Sequence, residues 1–394
     1  MPTGTTRWTH PATTITELWP GPAGYPEQAS TQRLWLREAL LRAVAPGELL
    51  AAWTTGGFCE PWAGNHTVLT RSTDDGRTWH PAGAFAHPTR GLFTTELFCP
   101  APGEVHAFLQ TYDNGVWMTQ LHSYRAVSRD GGRTWDGPHS IPGGVANVWV
   151  NRGLVHAGGR WVIPVSWAEL HGAEWAPPSV GRAPAPLRVG ARETEPPAVP
   201  YGADTALHYR LGNAWADRNH RYCCGVLLSD DGGATFRLRG YLRGGKHGHL
   251  IEPRVVELSN GDLAMLIRSQ RDGCLWRADS RDGGETWHEP QPTAIPNPAA
   301  KVNVLRATDG RVFLLHNPVG HDGAIMGGRN PLSLWVSEDD LASWSVQVDL
   351  VRDANPSVSL NYPDGYLDEA AGVLRFVWED TQRVWLMSVP LDIA

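Results

Sequence analysis

The sequence predicts an all-β protein built from repeated four-stranded antiparallel units, and three observations support this fold class. Apolar runs of strand length recur along the chain, a short Asp- and Gly-rich motif returns five times, and the 394 residues include 43 Gly and 31 Pro. Strand-length runs bounded by Asn-Gly and Asp-Gly are typical of β-hairpins. Gly and Pro at this level suit many tight turns, and the 41% hydrophobic content argues against disorder.

Residues 250–287 show one unit most clearly. They contain LIEPRVVEL, a turn at 259–262, LAMLIRS, a polar loop, LWRADS and a closing motif Ser-x-Asp-x-Gly-x-Thr-Trp at 280–287. In such a motif the Asp and Gly set a tight turn whose carboxylate accepts backbone N–H groups, and the indole packs between layers. A helix is not expected here.

The closing motif identifies the repeat. It recurs at 72–79 and 128–135, returns at 229–236 with Phe in place of Trp, and is degenerate at 337–344. These segments are Asp boxes, and over residues 30–394 the chain resembles the sialidase (neuraminidase) superfamily of β-propellers. The boxes indicate the fold only, because lyases, arabinanases and non-enzymatic binding propellers also contain them.

The spacing of the boxes predicts the number of blades. Neighbouring box starts lie 51 to 57 residues apart except for one interval of 101 residues, and units of this size are propeller blades. Within the long interval the strands RWVIPVSW and YCCGVLLS flank residues 168–221, which makes these residues an insertion within the third blade. Three strands follow the last box, and TTITELW near the N-terminus supplies the fourth. We therefore expect a single domain, 1–394, that is a six-bladed propeller closed by its two ends.

Composition excludes several classes of partner. The net charge is −7 and basic residues form no run, so we expect neither nucleic acid nor an anionic membrane surface as a partner. No stretch resembles a signal peptide or a membrane span, and five cysteines without framework spacing suggest free thiols. These features predict a cytoplasmic protein. No His/Cys cluster predicts a metal site, and no cofactor is expected. The oligomeric state stays open.

The order of strands in a blade predicts which residues can cooperate. The box turns share one face of the propeller with the turns between strands one and two. The starts of strands one and the loops between strands two and three lie on the opposite face. Six candidate side chains belong to this second class: Arg37, Glu60, Glu252, Arg268, Arg329 and Tyr362.

The resemblance assigns roles to these residues. Arg37 matches the arginine of the family's Arg-Ile-Pro motif, with Glu38-Ala39 in place of Ile-Pro, and Arg33 and Arg42 are its competitors. Glu252 and Arg268, sixteen residues apart, resemble the family's catalytic Glu and second Arg. Arg329 and Tyr362 stand where the family has its third Arg and its tyrosine. Glu60 takes the place of the family's acid/base, which is an Asp.

Such a set supports a specific chemistry. Three guanidiniums can hold a substrate carboxylate through planar bidentate hydrogen bonds. Their charge favours an ionised Glu252, which can act as base toward the Tyr362 hydroxyl. A neutral nucleophile approaches an anomeric carbon that bears a carboxylate without repulsion, and sialidases are a known exception to the two-carboxylate rule of glycosidases. Glu60 would protonate the leaving oxygen and later deprotonate water.

Further residues are expected near this pocket. Arg254 and His249 flank Glu252 in sequence and are candidates for substrate binding. Trp117 is a candidate for stacking on a sugar ring, as are Trp53, Trp62, Trp149 and Trp167. The insertion emerges on the same face, where a long loop often forms a lid.

Three functions remain open. The leading hypothesis is a retaining exo-glycosidase that releases a terminal acidic sugar, either sialic acid or a related ulosonic or uronic sugar. The second is a glycosidase or polysaccharide lyase acting on another glycan, with the arginines holding a uronate. The third is a propeller that binds carbohydrate without catalysis. All three make a carbohydrate the partner.

Overall fold

The sheets form a ring of six. The computed structural model describes residues 7–19, 36–56, 64–112, 121–170, 188–189, 220–244, 249–320, 328–380 and 383–393. Each of the six antiparallel sheets contains four strands in the order of a blade, and neighbouring blades contact one another around a closed ring. First strands make these contacts, except that blade 3 meets the first strand of blade 4 through its second and third strands. The predicted six-bladed β-propeller is confirmed. We call the first strand of each blade its inner strand.

The blades follow the chain in order. Blade 1 contains Arg37–Ala45, Glu48–Thr55, His66–Ser72 and His80–Ala86, and blade 2 contains Gly91–Ala101, Glu104–Tyr112, His122–Ser128 and Asp136–Ser140. Blade 3 has a divided inner strand, Trp149–Val150 and Leu154–Val155, followed by Trp161–Leu170, His220–Ser229 and Arg237–Leu242. A 3-10 turn, Ala157–Gly159, connects its inner and second strands.

The remaining blades complete the ring. Blade 4 contains Leu250–Glu257, Leu263–Ser269, Cys274–Ser280 and Gln291–Pro296, and blade 5 contains Asn303–Arg306, Val312–His316, Leu332–Ser337 and Val346–Asp353. Blade 6 contains Asn361–Asp368, Val373–Glu379 and Val384–Pro390. Among the described residues, no helix combines the length and the hydropathy that crossing a membrane would require.

The N-terminal segment joins the two ends of the chain. Thr14–Trp19 pairs with Val384–Pro390 as the outer strand of blade 6, as the sequence predicts. Arg7–Thr9 pairs with the outer strand of blade 5, which the sequence did not predict. One segment therefore spans two blades, and this closure leaves fewer strand edges exposed.

The blade 3 insertion is slightly shorter than predicted. The second strand of blade 3 continues to Leu170 and the third begins at His220, where these two residues are register partners. Residues 168–170 and 220–221 therefore belong to strands, because the hairpin ladder extends beyond its apolar part. Within the insertion the structure describes Arg188–Val189, which pairs with the outer strand of blade 1.

Each Asp box closes its turn with the same hydrogen bonds. In blade 2 the Ser128 hydroxyl donates to Asp130 (2.7 Å) and accepts from the Gly132 backbone N–H (2.7 Å). Asp130 also accepts from the backbone and side chain of Thr134. The degenerate box at 337–344 keeps this pattern, although Leu341 occupies the glycine position with φ of 71°. This position of the box requires a left-handed backbone conformation, which explains why the other four boxes have glycine there.

The hydrophobic core lies between neighbouring blades. One cluster joins Leu50 and Ala52 of blade 1 to Leu97 and Leu109 of blade 2, and comparable clusters fill the other blade junctions. The box tryptophan Trp135 packs against this cluster, which agrees with the expected interlayer position of the box indoles.

Candidate functional site

Three inner strands begin with the same irregularity. Glu38 of blade 1, Glu252 of blade 4 and Tyr362 of blade 6 have φ of 60°, 51° and 48°. At each of them two residues of the inner strand oppose one residue of the second strand, as in a β-bulge. The three side chains therefore occupy equivalent positions in their blades. Left-handed conformations are uncommon for such residues and are found at functional sites.

Arg268 links the predicted base to the predicted nucleophile. Its Nη1 donates to Glu252 Oε2 at 2.6 Å and to the Tyr362 hydroxyl oxygen at 3.4 Å. The three side chains are almost fully buried. The structure thus brings Glu252, Arg268 and Tyr362 together at one point, with the guanidinium between the carboxylate and the phenol.

Arg329 lies on the same phenol ring. Its Cζ is 4.9 Å from the centre of the Tyr362 ring, within the range of a cation–π interaction. Its Nη1 donates to Asn361 Oδ1 (2.9 Å) and its Nη2 donates to the Ala299 carbonyl (2.9 Å). These bonds fix the guanidinium beside Tyr362, although the two residues belong to different blades.

Arg37 reaches the site through a buried carboxylate that sequence reasoning missed. Arg37 Nη1 lies 3.5 Å from Oε1 of Glu379, and the Arg37 side chain is 17% exposed. Glu379 lies opposite Asn361, the residue before the bulge of blade 6, just as Arg268 lies opposite Ile251, the residue before the bulge of blade 4. A charged residue closing an apolar strand at this equivalent position is the signal that could have revealed it.

A second ion pair in the site was also missed. Lys301 Nζ pairs with Glu38 and lies 4.9 Å from the centre of the Tyr362 ring. Both partners are buried, and they join blade 1 to the segment that enters the inner strand of blade 5. Glu38 occupies the position of the isoleucine in the Arg-Ile-Pro motif, so its partner could not be found from that motif.

Two of the other arginine candidates, Arg42 and Arg254, bind groups of the protein. Arg42 is buried and is bound to Glu96 (2.6 Å) and Asp364. Arg254 is buried, donates to the Val302 carbonyl (2.9 Å) and lies 3.6 Å from Asp364. Arg254 is thus held beside Asp364, and its charge also acts on Glu38 and Lys301 of the site. Arg33 lies outside the described residues.

The structure describes four of the remaining predicted residues and does not describe the other three. His249 stands just before the inner strand of blade 4, where it forms a bridge to Tyr222. Trp53, Trp149 and Trp167 are buried in the core, which leaves no face for a sugar. Three predicted residues lie outside the described residues: Glu60, Trp62 and Trp117.

The charges of the site set its protonation states. Burial alone would raise the pKa of Glu252, but the cations Arg268 and Lys301 outweigh burial and hold this pKa below its usual value. Burial also raises the pKa of Glu379 to about 8, against the opposing charge of Arg37. Glu252 is therefore the ionised carboxylate at neutral pH, and Glu379 holds its proton over part of the neutral range.

The arrangement has an excess of positive charge. Arg37, Arg268, Arg329 and Lys301 face Glu38, Glu252 and Glu379, of which Glu379 is partly neutral. Such a site favours an anionic ligand. Within the described ranges, no group of three or more His, Cys, Asp and Glu side chains could hold a metal ion.

Comparisons of sequence connect this chain to known proteins. Residues 206–373 match the family model described as a BNR repeat-like domain. A sialidase of Vibrio cholerae is 26% identical over 197 residues, covering 42% of this chain and 24% of that protein. A sialidase of Bacteroides fragilis is 27% identical over 137 residues, covering 33% and 24%. The matched region thus spans about a quarter of these curated relatives.

Solved structures share the fold over nearly the whole chain. The Hadza microbial sialidase Hz136 has a TM-score of 0.62 at 14% identity, covering 91% of this chain and 66% of its own. The NanB sialidase of Streptococcus pneumoniae has a TM-score of 0.60 at 13% identity, covering 93% and 70%. A protein of unknown function from Dyadobacter fermentans has a TM-score of 0.63 at 14% identity, covering 96% and 99%. At such identities the likeness shows the fold alone.

Proposed function

We propose that this chain, a sialidase-like BNR-repeat β-propeller, is a retaining exo-glycoside hydrolase that releases a terminal acidic sugar, either sialic acid or a related ulosonic or uronic sugar. The observation that carries the proposal is the meeting of two guanidiniums from different blades at one phenol. Arg268 contacts the Tyr362 hydroxyl oxygen, and Arg329 lies against its ring. The sialidase names of the relatives support the same class of activity.

The substrate carboxylate would be bound by the arginines. Arg37 is the most exposed of the three, and Glu379 orients it without cancelling its charge, because the raised pKa of Glu379 leaves this carboxyl partly protonated. Arg268 and Arg329 present planar donors that match a carboxylate, a geometry that lysine cannot reproduce. One substrate anion would balance the excess positive charge of the site.

Tyr362 would be the nucleophile and Glu252 its base. A free phenol titrates near ~10, so it needs a partner that removes its proton at neutral pH. The ionised Glu252 and the Tyr362 hydroxyl oxygen both accept a hydrogen bond from Nη1 of Arg268. As Tyr362 loses its proton to Glu252, its oxygen bonds to the anomeric carbon and the glycosidic C–O bond breaks.

The second half of the reaction would regenerate the tyrosine. The leaving oxygen takes a proton from a general acid, and we assign this role to Glu60 from the sequence. Water then gives its proton to the same residue and attacks the anomeric carbon. The bond to Tyr362 breaks, and its oxygen recovers the proton from Glu252. Two displacements retain the configuration of the sugar.

Hydrolysis of an aryl α-glycoside of N-acetylneuraminic acid tests the proposal. We expect release of the aryl group by the wild type and a loss of at least roughly 10³-fold in kcat for Tyr362→Phe, which keeps the ring but has no nucleophile. Tyr241→Phe, a change at a partly exposed tyrosine of blade 3, is the matched control. Ultraviolet absorbance from an unsaturated uronate would instead favour a lyase, and sugar binding without turnover would favour a binding propeller.

A further inference from the structure

The pairing of carboxylates and cations in the site is specific. Glu38 and Glu252 occupy equivalent bulge positions, yet Glu38 pairs with Lys301 whereas Glu252 pairs with Arg268. Lys301 is one of only two lysines in the chain, the other being Lys246. A buried ammonium without a partner would lose its proton or compete with Arg268 for Glu252. Glu38 therefore keeps Lys301 charged and leaves Glu252 to Arg268.

The ammonium of Lys301 lies against the phenol ring. Its Nζ is 4.9 Å from the centre of the Tyr362 ring, the same distance as the Arg329 Cζ. A cation in this place interacts more strongly with a ring that carries negative charge than with a neutral phenol. The contact would thus favour the negative charge that develops on the ring during nucleophilic attack.

We propose that Lys301, held by Glu38, is a positioning residue that fixes the Tyr362 ring and favours the negative charge that develops on it as Glu252 removes its proton. This inference rests on the proposed function, which supplies the reaction. It assigns a use to Glu38, the residue that replaces the isoleucine of the Arg-Ile-Pro motif. The pair acts on the reacting atoms through Tyr362 and Glu252 and does not contact them itself.

Removal of the ion pair would change the pH dependence of catalysis. Five charged or titratable groups interact with Glu252: Arg268, Lys301, Arg329, Glu38 and Cys224. Tyr362 contacts the same arginine, Arg268. Lys301 lowers the pKa of Glu252, so its loss raises this pKa. The acidic limb of the kcat/KM profile, which follows ionisation of Glu252, would then move to higher pH.

The double variant E38M/K301M separates catalysis from stability. Replacement of a buried ion pair by apolar residues of similar size is often neutral for stability, whereas removal of one partner is not. We expect a thermal midpoint near that of the wild type, a kcat/KM lower by about 10- to 100-fold and an acidic limb displaced to higher pH. K301R, which keeps a cation, should retain most of the wild-type activity.

The opposite results would overturn the inference. If the folded double variant has the wild-type kcat/KM and pH profile, the pair only joins blades 1 and 5. If the wild type shows no hydrolysis, the proposed function fails, and the contact is then judged by NMR of ¹⁵N-lysine-labelled protein. With K246R for assignment, the ring-current shift of the Lys301 ammonium should disappear in Tyr362→Leu. An unchanged resonance would contradict the contact itself.

Discussion

Glu252 and Tyr362 occupy the same position in two different blades. Each is the bulged residue of an inner strand, with φ of 51° and 48°, and each is followed by a proline. Proline has no N–H to donate to the ladder, which suits a bulge at this point. The same local distortion thus brings a carboxylate from blade 4 and a phenol from blade 6, the two blades that flank blade 5, to one guanidinium, that of Arg268.

Arg37→Lys tests the carboxylate clamp with little disturbance of the phenol. Arg37 contacts Glu379 and its neighbouring backbone, and its side chain is partly exposed. Because lysine cannot form the planar pair, we expect KM for an acidic glycoside to rise by about 10- to 100-fold, with a smaller change in kcat. The methyl ester of the same glycoside is the control substrate. If both substrates lose activity equally, Arg37 does not bind the carboxylate.

Glu379 should make stability fall as pH rises. Its pKa is raised to about 8 from 4.5, so the folded state keeps a proton that the unfolded state releases. This contribution is complete below pH 4.5 and is lost as pH rises through 8. Between pH 5.5 and 8.5 we expect a loss of roughly 3 kcal/mol, measured by urea unfolding. Glu379→Gln should remove this slope, whereas Glu289→Gln, at an exposed carboxylate, should preserve it.

Ser128→Ala tests the Asp box as a structural element. The Ser128 hydroxyl accepts from the buried Gly132 N–H and donates to Asp130. Loss of this partner leaves a buried donor unsatisfied, at a cost of about 1–3 kcal/mol in the free energy of unfolding. Catalytic parameters should not change, because the box lies on the face away from the site. Ser140→Ala, at an exposed position of the same blade, is the control. Equal stability of the two variants would contradict the role of the box.

The insertion can be removed at a defined point. Leu170 and His220 are register partners, so an Asn-Gly turn that replaces residues 171–219 would close a two-residue hairpin. We expect the propeller to fold and KM or the range of accepted glycosides to change, because we predict the insertion to be a lid. Aryl and oligosaccharide substrates should be compared. Unchanged kinetics for both in a folded variant would show that the insertion does not cover the pocket.

The sequence alone determined the repeat, the six blades, the role of the N-terminal strand and the grouping of Glu252, Arg268, Arg329 and Tyr362 on one face of the propeller. These features depend on turn chemistry and on strand length, which are properties of short segments. Arg42 already shows the limit of such reasoning, because its position in an apolar strand gives no sign of its carboxylate partners in blades 2 and 6.

Only the tertiary structure decided which charges meet. Glu38 pairs with Lys301, which is 263 positions away in the sequence, and Arg37 pairs with Glu379, which is brought near it only in the closed ring. No local pattern encodes these pairs, because each partner is an ordinary charged residue until the blades place it in a buried space. In the low dielectric of that space, the partner of each side chain determines whether the side chain stays charged.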